Sequence, residues 1–330
     1  GAGQQRGIII MGKYYIGIDI GGTNLKAGLV DEQGTLLATA KEPVDWVSPE
    51  AFVKTMAELS LAAAEKAGVG QDEICAVGMG VPGGVDTEKG MILYTCNIQL
   101  SDLPVADLFH QYLDIPVYLE NDANCAALGE LYAGAGRGCK DLIVVTLGTG
   151  IGAGIVLNGK LLRGVNAAAG EVGHMVVEHG GVECPCGRQG CWEQYASAPA
   201  LRRLTREAMK EHPESALWEH CGGDLSKIGG RSAFEVARET GDETAQAVCD
   251  LYVSYLGRGI VNLINLFQPE MLCIGGGVSN EEDAALLFPL RELVERERFS
   301  QYCDKQTRVV KAQLGNDAGI IGAAFLGMME

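Results

Sequence analysis

The sequence predicts an α/β fold of two similar domains that face each other across a cleft, and two observations lead to this prediction. Residues 14–41 read YYIGIDIGGTNLKAGLVDEQGTLLATAK, and residues 141–165 read DLIVVTLGTGIGAGIVLNGKLLRGV. Each begins with an apolar β-rich run, passes a turn of glycine and threonine, and turns again at Gln33-Gly34 or Asn158-Gly159, which predicts two three-stranded meanders. The second observation is the alternation of strand and helix patterns elsewhere, which favours an α/β fold.

The elements outside the meanders follow from the periodicity of their apolar residues. The predicted helices are residues 49–66, 121–131, 248–267 and, after a glycine turn, 315–327; the predicted strands are residues 74–82, 115–119 and 271–274. Residues 211–242 are polar and interrupted by glycine, which predicts a helical excursion. We expect a small first domain at residues 13–122, completed by the C-terminal helix at 315–330, and a larger second domain at 123–314.

Composition limits the class of protein. The chain has 330 residues and a formal net charge of −17, which argues against a general nucleic-acid surface because such a surface needs a basic face. Eight of the eleven cysteines are dispersed singly, as in a reduced, cytoplasmic protein rather than a disulfide scaffold. No apolar stretch reaches the roughly 18 residues of a membrane span. We therefore expect a cytoplasmic protein with neither nucleic-acid nor membrane partners.

A cluster of potential metal ligands lies near the middle of the chain: His174, Cys184, Cys186 and Cys191. Three thiolates and one imidazole at this spacing can form a closed tetrahedral zinc site. Proline and glycine between the cysteines allow the backbone to fold back, so that the sulfurs converge. The alternatives are a cysteine-rich loop without metal and a redox pair of cysteines.

The glycine and threonine turns of the two meanders are candidate phosphate sites. Residues 19–23 read DIGGT and residues 148–152 read GTGIG. Successive backbone N–H groups in such a turn can bind phosphate oxygens, and Asp19 could hold Mg²⁺ through water. An ordinary tight hairpin is the better explanation of one such turn, but two turns in matched positions of similar domains favour phosphate binding. Neither turn has the Walker A lysine pattern or opens a Rossmann helix.

Residues 120–124, ENDAN, lie where a predicted strand meets a predicted helix. Asp122 could cap that helix, or it could act as a general base toward a substrate hydroxyl, and the residues alone leave both open. Asn121 offers a donor and an acceptor, which suits a polyhydroxylated ligand. Glu171 and His174 form a second polar pair. A solvated surface pair is the default explanation, but the nearby cysteines weaken it, because a zinc-bound histidine is oriented by a partner of its second nitrogen, which could be a substrate hydroxyl.

Taken in order, the motifs IDIGGT, GVPG, ENDAN, TLGTGIG, EVGH and CPCGRQGCWE resemble the ROK family of sugar kinases and repressors. The resemblance extends from Tyr14 to Leu326. It implies the actin-like ATPase fold, in which two ribonuclease H-like domains are duplicates of each other. It also implies phosphorylation of a hexose by Mg·ATP, most simply at the 6-hydroxyl of glucose, with a structural zinc ion in the larger domain.

The resemblance assigns roles to residues of this sequence. Asp122 would be the catalytic base. The sugar ligands would be Asn121, Asp122, Glu171, His174 and Glu193, with Gly83 and Asn97 lining the sugar side. The ATP ligands would be Asp19, Gly21, Gly22, Thr23, Thr149 and Gly150, with Gly276 and Gly277, at the start of a helix, near the adenosine. The zinc ligands would be His174, Cys184, Cys186 and Cys191, and four protein ligands would leave no open position for catalysis.

Several alternatives stay open at this level. Kinases of N-acetylmannosamine, fructose and allose belong to the same family as kinases of glucose. A sugar-responsive repressor is disfavoured by the acidic charge, and because the first meander begins near residue 14, which leaves no room for a helix-turn-helix. A sugar- or zinc-binding module without catalysis is disfavoured by the retained Asp122. The resemblance also implies a homodimer or homotetramer.

Overall fold

The computed structural model describes residues 13–44, 48–95 and 100–329, which form two compact units. The first unit contains residues up to Ala133 together with Asp317 onward, and the second contains Gly134–Asn316. Both are mixtures of strands and helices, as the α/β prediction requires.

The first unit is built on a five-stranded sheet in the order β3-β2-β1-β4-β8. Strands β1–β3 form an antiparallel meander, and β4 and β8 run parallel to β1. Strands β5–β7 form a separate small sheet. The elements are β1 (Tyr14–Ile20), β2 (Asn24–Asp31), β3 (Leu36–Pro43), α1 (Pro49–Lys66), β4 (Ile74–Val81), β5 (Gly83–Asp86), β6 (Met91–Thr95), β7 (Ser101–Leu103), α2 (Val105–His110), β8 (Val117–Asn121) and α3 (Asp122–Ala133).

The second unit repeats this topology with the sheet order β11-β10-β9-β12-β13. Strands β9–β11 are antiparallel, and β12 and β13 run parallel to β9. The elements are β9 (Leu142–Leu147), β10 (Ile151–Leu157), β11 (Lys160–Leu161), α4 (Glu193–Ala196), α5 (Ala198–Glu211), α6 (Leu217–His220), α7 (Ser232–Thr240), α8 (Glu243–Phe267), β12 (Met271–Gly275), α9 (Leu287–Glu297) and β13 (Arg308–Lys311). The second meander is therefore present, although its third strand has only two residues.

Helix α10 (Ala318–Met328) returns the end of the chain to the first unit. Successive side chains of a strand point to opposite faces, so β1 presents Ile16 and Ile18 to one face and Gly17 to the other. Ile16 and Ile18 belong to the core that includes α1, whereas a side chain at Gly17 would overlap the backbone of Ile320 in α10. Glycine on this face thus lets α10 lie directly on the sheet.

The boundary between the units lies after α3, not at residue 122 as predicted. Helix α3 belongs with the first unit because it packs tightly on α10. A side chain at Gly322 would overlap the backbone of Cys125, and the rings of Tyr132 and Phe325 stack with centroids 4.9 Å apart. The sequence pattern marks where α3 begins but contains no sign of the helix it packs against.

Helix α8 is the central helix of the second unit. It has the length and mean hydropathy of a membrane span, but 61% of its apolar 18-residue stretch is buried inside the protein. Its buried face includes Tyr252, Leu256 and Ile260, which pack in the core of the unit. The predicted excursion at 211–242 contains α6 and α7, which enclose a small apolar cluster around Leu217 and Val236.

Candidate functional site

Each of the two glycine turns is closed by a backbone hydrogen bond. In the first unit, the N–H of Gly21 donates to the carbonyl of Asn24 at 3.0 Å. In the second, the N–H of Gly148 donates to the carbonyl of Gly150 at 3.0 Å. Within the described residues, the next two N–H groups of each turn, at Gly22 and Thr23 and at Thr149 and Gly150, have no protein partner. Each unit therefore presents two adjacent donors that suit a phosphate oxygen.

Asp19 lies at the end of β1, just before the first turn. Burial raises the pKa of its carboxyl above the ordinary value, and the nearby Lys26 ammonium opposes this shift. Lys26 is itself paired with Asp317 at 2.7 Å. Asp19 accepts no hydrogen bond from any residue that the structure describes. A partly buried carboxylate without a donor fits a hydrated Mg²⁺ ion, whose ligands are oxygens.

Asn121, not Asp122, caps helix α3. Its Oδ1 accepts the N–H groups of Ala123 at 2.9 Å and of Asn124 at 3.3 Å. Asp122 stands in the first turn, where the helix dipole favours a negative charge, and its Oδ1 accepts the adjacent N–H of Ala123 at 2.8 Å. Because Asn121 does the capping, the Asp122 carboxylate is not required for it. This geometry supports the general-base interpretation of Asp122.

Glu120 holds this junction from inside. Its side chain is completely buried, and its Oε1 accepts the N–H of Asn121 and the Nδ2 of Asn124, both at 2.9 Å. A buried carboxylate with two donors is a strong constraint, because removing it leaves both donors unpaired. Sequence reasoning did not single out Glu120. The ENDAN motif itself was the available signal, since it places a carboxylate at the last inward position of β8.

Gly83 lies beside Asn121 in the first unit. Its carbonyl accepts the Nδ2 of Asn121 at 3.4 Å, a long contact that leaves this donor largely available. A side chain at position 83 would overlap the backbone of Tyr94 in the neighbouring strand. The structure thus brings these two predicted sugar-side residues together. Asn97, the other one, lies outside the described residues.

Glu193, at the start of α4, lies against the glycine turn of the second unit. Its Oε2 accepts the N–H of Ile151 at 2.9 Å, and a side chain at Gly150 would overlap this oxygen. The predicted sugar ligand Glu193 and the predicted phosphate turn are therefore direct neighbours. Because one carboxylate oxygen is engaged by the backbone, the side chain is held in place while its Oε1 stays available to a hydroxyl group.

Glu171 and His174 flank a single turn of 3₁₀ helix at Val172–His174. The N–H of His174 donates to the carbonyl of Glu171 at 3.1 Å. Two glycines allow this turn to lie directly against β10. Side chains at Gly170 and Gly173 would collide with the carbonyls of Ala153 and Ile151. The turn therefore places Glu171, which is exposed, and His174 at the side of β10.

The four predicted metal ligands converge. One ligand atom from each of His174, Cys184, Cys186 and Cys191 lies within 4.8 Å of every other. The Sγ atoms of Cys186 and Cys191 are 3.6 Å apart, and the Sγ of Cys184 is 3.6 Å from Nδ1 of His174. Two sulfurs bound to tetrahedral zinc, each at about 2.3 Å, are separated by about 3.8 Å. The residues therefore fit a zinc ion, with Nδ1 as the imidazole ligand atom.

The thiols differ in their surroundings. Burial, together with the neighbouring thiols, raises the pKa of Cys191 to about 12, whereas the backbone N–H of Arg188 lowers that of Cys186. Two further side chains support the cluster, and sequence reasoning missed both. Gln194 donates its Nε2 to the Sγ of Cys184 at 3.7 Å, and Arg188 donates to the carbonyl of His174 at 3.0 Å.

The cysteine loop is anchored in the core of the second unit. Trp192, completely buried, donates its Nε1 to the carbonyl of Tyr255 in α8 at 2.9 Å. Its ring occupies the space that a side chain at Gly259 would need. Gly190 has a φ of 79° and lies so close to the carbonyl of Glu178 that no side chain fits there. The ligands are thus attached to a rigid helix.

Gly276 and Gly277 follow β12 and lead into a short 3₁₀ turn at Gly277–Asn280, rather than a regular helix. Gly276 has a φ of 84°, and a side chain there would overlap the backbone of Leu147, the last residue of β9. Leu147 immediately precedes the glycine turn at 148–150. The predicted adenosine-side and phosphate-side turns of this unit are therefore in backbone contact.

Three comparisons place these features among known proteins. The pattern of the ROK family matches residues 15–329. The glucokinase of Halalkalibacterium halodurans is 38% identical over 322 residues, which cover 95% of this chain and 94% of that protein. The crystal structure of a ROK family glucokinase from Streptomyces griseus in complex with glucose and AMPPNP aligns with a TM-score of 0.80 at 39% identity, covering 96% of this chain and 100% of that chain.

A relative of another class also matches. The xylose repressor of Caldicellulosiruptor bescii is 33% identical over 241 residues, which cover 72% of this chain and 59% of that protein. Together with the sheet topology of both units, the comparisons confirm the predicted fold class and the predicted family resemblance.

We expect the protein to bind a single zinc ion at the four ligands and Cys186→Ser to lose it. Cys303→Ser, which changes an exposed cysteine outside the cluster, is the matched control. Because thiols must lose protons to bind zinc, binding should release protons, and affinity should be higher at about pH 8 than at about pH 6. Metal analysis by mass spectrometry and chelator competition measure this. Full zinc content in Cys186→Ser would contradict the assignment.

We expect Glu120→Ala to lower the free energy of unfolding by about 1–3 kcal/mol, because it leaves the N–H of Asn121 and the Nδ2 of Asn124 without their acceptor. Glu120→Gln keeps an acceptor oxygen and should lose less. Glu88→Ala, at an exposed position of the same unit, should change stability by no more than about 0.5 kcal/mol. Chemical denaturation compares the three, and equal stability of Glu120→Ala and wild type would contradict the role of Glu120.

Proposed function

Since the chain belongs to the ROK family, we propose that it is an ATP-dependent hexose kinase that phosphorylates glucose to glucose 6-phosphate. The observation that carries this proposal is the Asp122 carboxylate, held at the start of α3 and not required for capping. The glucokinases of Halalkalibacterium halodurans and Streptomyces griseus support glucose as the acceptor, because the similarity covers nearly the whole chain. The AMPPNP in the structure of the Streptomyces griseus glucokinase supports ATP as the phosphate donor.

In the proposed reaction, Asp122 accepts the proton of the sugar hydroxyl as the hydroxyl oxygen forms a bond to the γ-phosphorus of ATP. The bond between the γ-phosphorus and the bridging oxygen breaks, and ADP leaves. Positioning and neutralisation of charge provide most of the acceleration in such transfers, and the proton leaves late, so an ordinary carboxylate suffices. Mg²⁺, when bound, neutralises the phosphate oxygens, and Asp19 is the residue that would hold it through water.

The remaining residues bind and orient. The free N–H groups of Gly22 and Thr23 and those of Thr149 and Gly150 are assigned to the phosphates of ATP. Asn121, through Nδ2, and Glu193, through Oε1, are assigned to sugar hydroxyls. Glu171 and the Nε2 of His174 are assigned to further hydroxyls. Because Nδ1 is directed to the cysteines, Nε2 is the ring nitrogen of His174 that remains for a hydroxyl group.

The zinc ion in this proposal is structural. Three cysteines and one histidine complete a tetrahedral shell and leave no position for substrate. What the metal would supply is rigidity, because it would tie the 3₁₀ turn that carries Glu171 and His174 to the loop anchored by Trp192. The dispersed thiols elsewhere in the chain support a cytoplasmic location.

A sugar-responsive repressor is the candidate from another class, because a xylose repressor is among the relatives. Kinases of N-acetylmannosamine and of other hexoses are the candidates within the enzyme class. Operator binding at physiological salt without sugar phosphorylation would favour the repressor. The acidic net charge of −17 favours the kinase instead.

We expect glucose to give the highest kcat/KM among the hexoses. A coupled assay that measures ADP release for each sugar tests this. N-acetylmannosamine, fructose, mannose and allose are the comparison sugars in the same assay. Discrimination follows from hydroxyl ligands in fixed positions, because a site that loses a hydrogen bond to a substrate hydroxyl leaves its own buried groups unpaired. Absence of turnover on glucose, with turnover on another of these sugars, would reassign the substrate.

We expect Asp122→Asn to lower kcat by roughly 10²–10⁴-fold, because the amide cannot accept the proton, while leaving the affinity for glucose within a few-fold. Asp107→Asn, at an exposed position in the same unit, is the matched control and should retain full activity. Steady-state kinetics give kcat, and calorimetry with glucose gives the affinity. If Asp122→Asn kept most of the wild-type kcat, Asp122 would not be the base.

A further inference from the structure

A groove of about 450 Å³ lies between α9 and β13 in the second unit. Strand β13 is the last strand of its sheet, so one edge of it faces this groove rather than another strand. None of the residues assigned to sugar, ATP or zinc lines it. The residues that line it include Arg291, Glu295, Arg298, Arg308 and Val309.

The groove is cationic in an acidic protein. Three arginines line it against one carboxylate, that of Glu295, whereas the chain as a whole carries a net charge of −17. In the part of the chain that the structure describes, none of the three arginines forms an ion pair with a carboxylate within 4.0 Å. Three arginines beside a single carboxylate give the groove a local positive charge, which suits an anion.

Two of the arginines are arranged for direct contact. Arg291 donates its Nε to the carbonyl of Val309 at 2.8 Å, which fixes the guanidinium at the strand edge and leaves its terminal amino groups without a described partner. The Nε of Arg298 is buried and has no hydrogen-bond partner. Because this Nε is shielded from the groove, an anion in the groove would meet the Arg298 guanidinium through its terminal amino groups.

The strand edge adds a neutral donor. The N–H groups of Arg308 and Ala312 donate to carbonyls on the β12 side, those of Glu270 and Ile274. Because backbone groups alternate sides along a strand, the N–H of Val309 points to the free edge, where Arg291 already contacts the carbonyl of the same residue. The groove thus offers donors from two arginines and one backbone group.

Arg308 contributes its charge more than its contacts. Its terminal nitrogen lies 3.8 Å from the Sγ of Cys139. The N–H groups of Lys140 and Asp141 lower the pKa of Glu270 most, and the charge of Arg308 lowers it further. Its charge is thus shared with a carboxylate outside the groove. Arg291 and Arg298 remain as the principal ligands.

We propose that this groove binds the phosphate group of a small anion, with Arg291, Arg298 and the N–H of Val309 as its donors. Arginine forks match phosphate oxygens, and a dianion with several acceptor oxygens satisfies three separate donors better than a carboxylate with two oxygens. The volume admits either inorganic phosphate or a phosphorylated monosaccharide. The site does not depend on the hexose kinase activity, because no residue of that site contributes to it.

The test is a calorimetric titration of the full-length protein with inorganic phosphate at low ionic strength. Wild type should bind phosphate saturably, and Arg298→Ala should weaken binding at this site by at least about tenfold. Arg296→Ala is the matched control, because it removes an arginine from the same turn that is exposed and paired with Glu297, and it should change the affinity by less than about twofold. Arg298→Lys, which keeps the charge but not the fork, should lie between them.

A second titration replaces phosphate by glucose 6-phosphate. Tighter binding than phosphate, lost in Arg298→Ala, supports the site and identifies a phosphorylated sugar as the occupant; equal affinity supports the site with the phosphate group alone as the recognised part. Unchanged circular dichroism and thermal melting establish that the variants are folded. The proposal is overturned if wild type shows no saturable binding, or if Arg298→Ala and Arg296→Ala weaken it equally. Neither result would bear on the phosphorylation of glucose.

Discussion

Close approach of backbones at glycine is the constraint on which both units of this protein depend. In the first unit, Gly17 and Gly322 let α10 lie against β1 and α3 without intervening side chains. In the second, Gly276 lets the turn after β12 contact the end of β9. Each added methyl group at these positions would overlap backbone atoms, which cannot yield as a flexible side chain can. At these positions glycine is therefore a packing requirement rather than a sign of a flexible loop.

This constraint determines where the chemical groups lie. Because α10 holds α3 against the sheet, the start of α3 is placed at the end of β8, and Glu120, Asn121 and Asp122 occupy a rigid junction. Within this junction, Glu120 accepts the N–H of Asn121 from inside, Asn121 caps the helix, and Asp122 stands in the first helical turn, where we propose that it acts as the base. A carboxylate that also had to cap the helix would lose a strong hydrogen bond whenever it took up a proton.

The cysteine cluster achieves the same rigidity by other means. A loop with little regular structure has few backbone hydrogen bonds of its own to hold a side chain in one direction. Here Trp192 attaches the loop to α8, and the four ligand atoms converge within 4.8 Å. A zinc ion at this point would connect His174 to that anchor, and the direction of its second nitrogen would follow. The arginines between α9 and β13 lie in another part of this unit, and the anion proposed to bind them is separate from the zinc site.

The sequence by itself determined the local features of this protein. The α/β class, the repeated meanders, the family and the cluster of three cysteines and one histidine were all readable from motifs, because each depends on residues close together in the chain or on a regular period. The tertiary structure decided what depends on residues far apart. Only it shows that α3 belongs with α10, that Glu193 lies on the glycine turn at Gly150, and that Arg291 and Arg298 meet the edge of β13. Such contacts arise from packing across long sequence separations, and a periodic pattern records which face of an element is apolar but not which partner covers it.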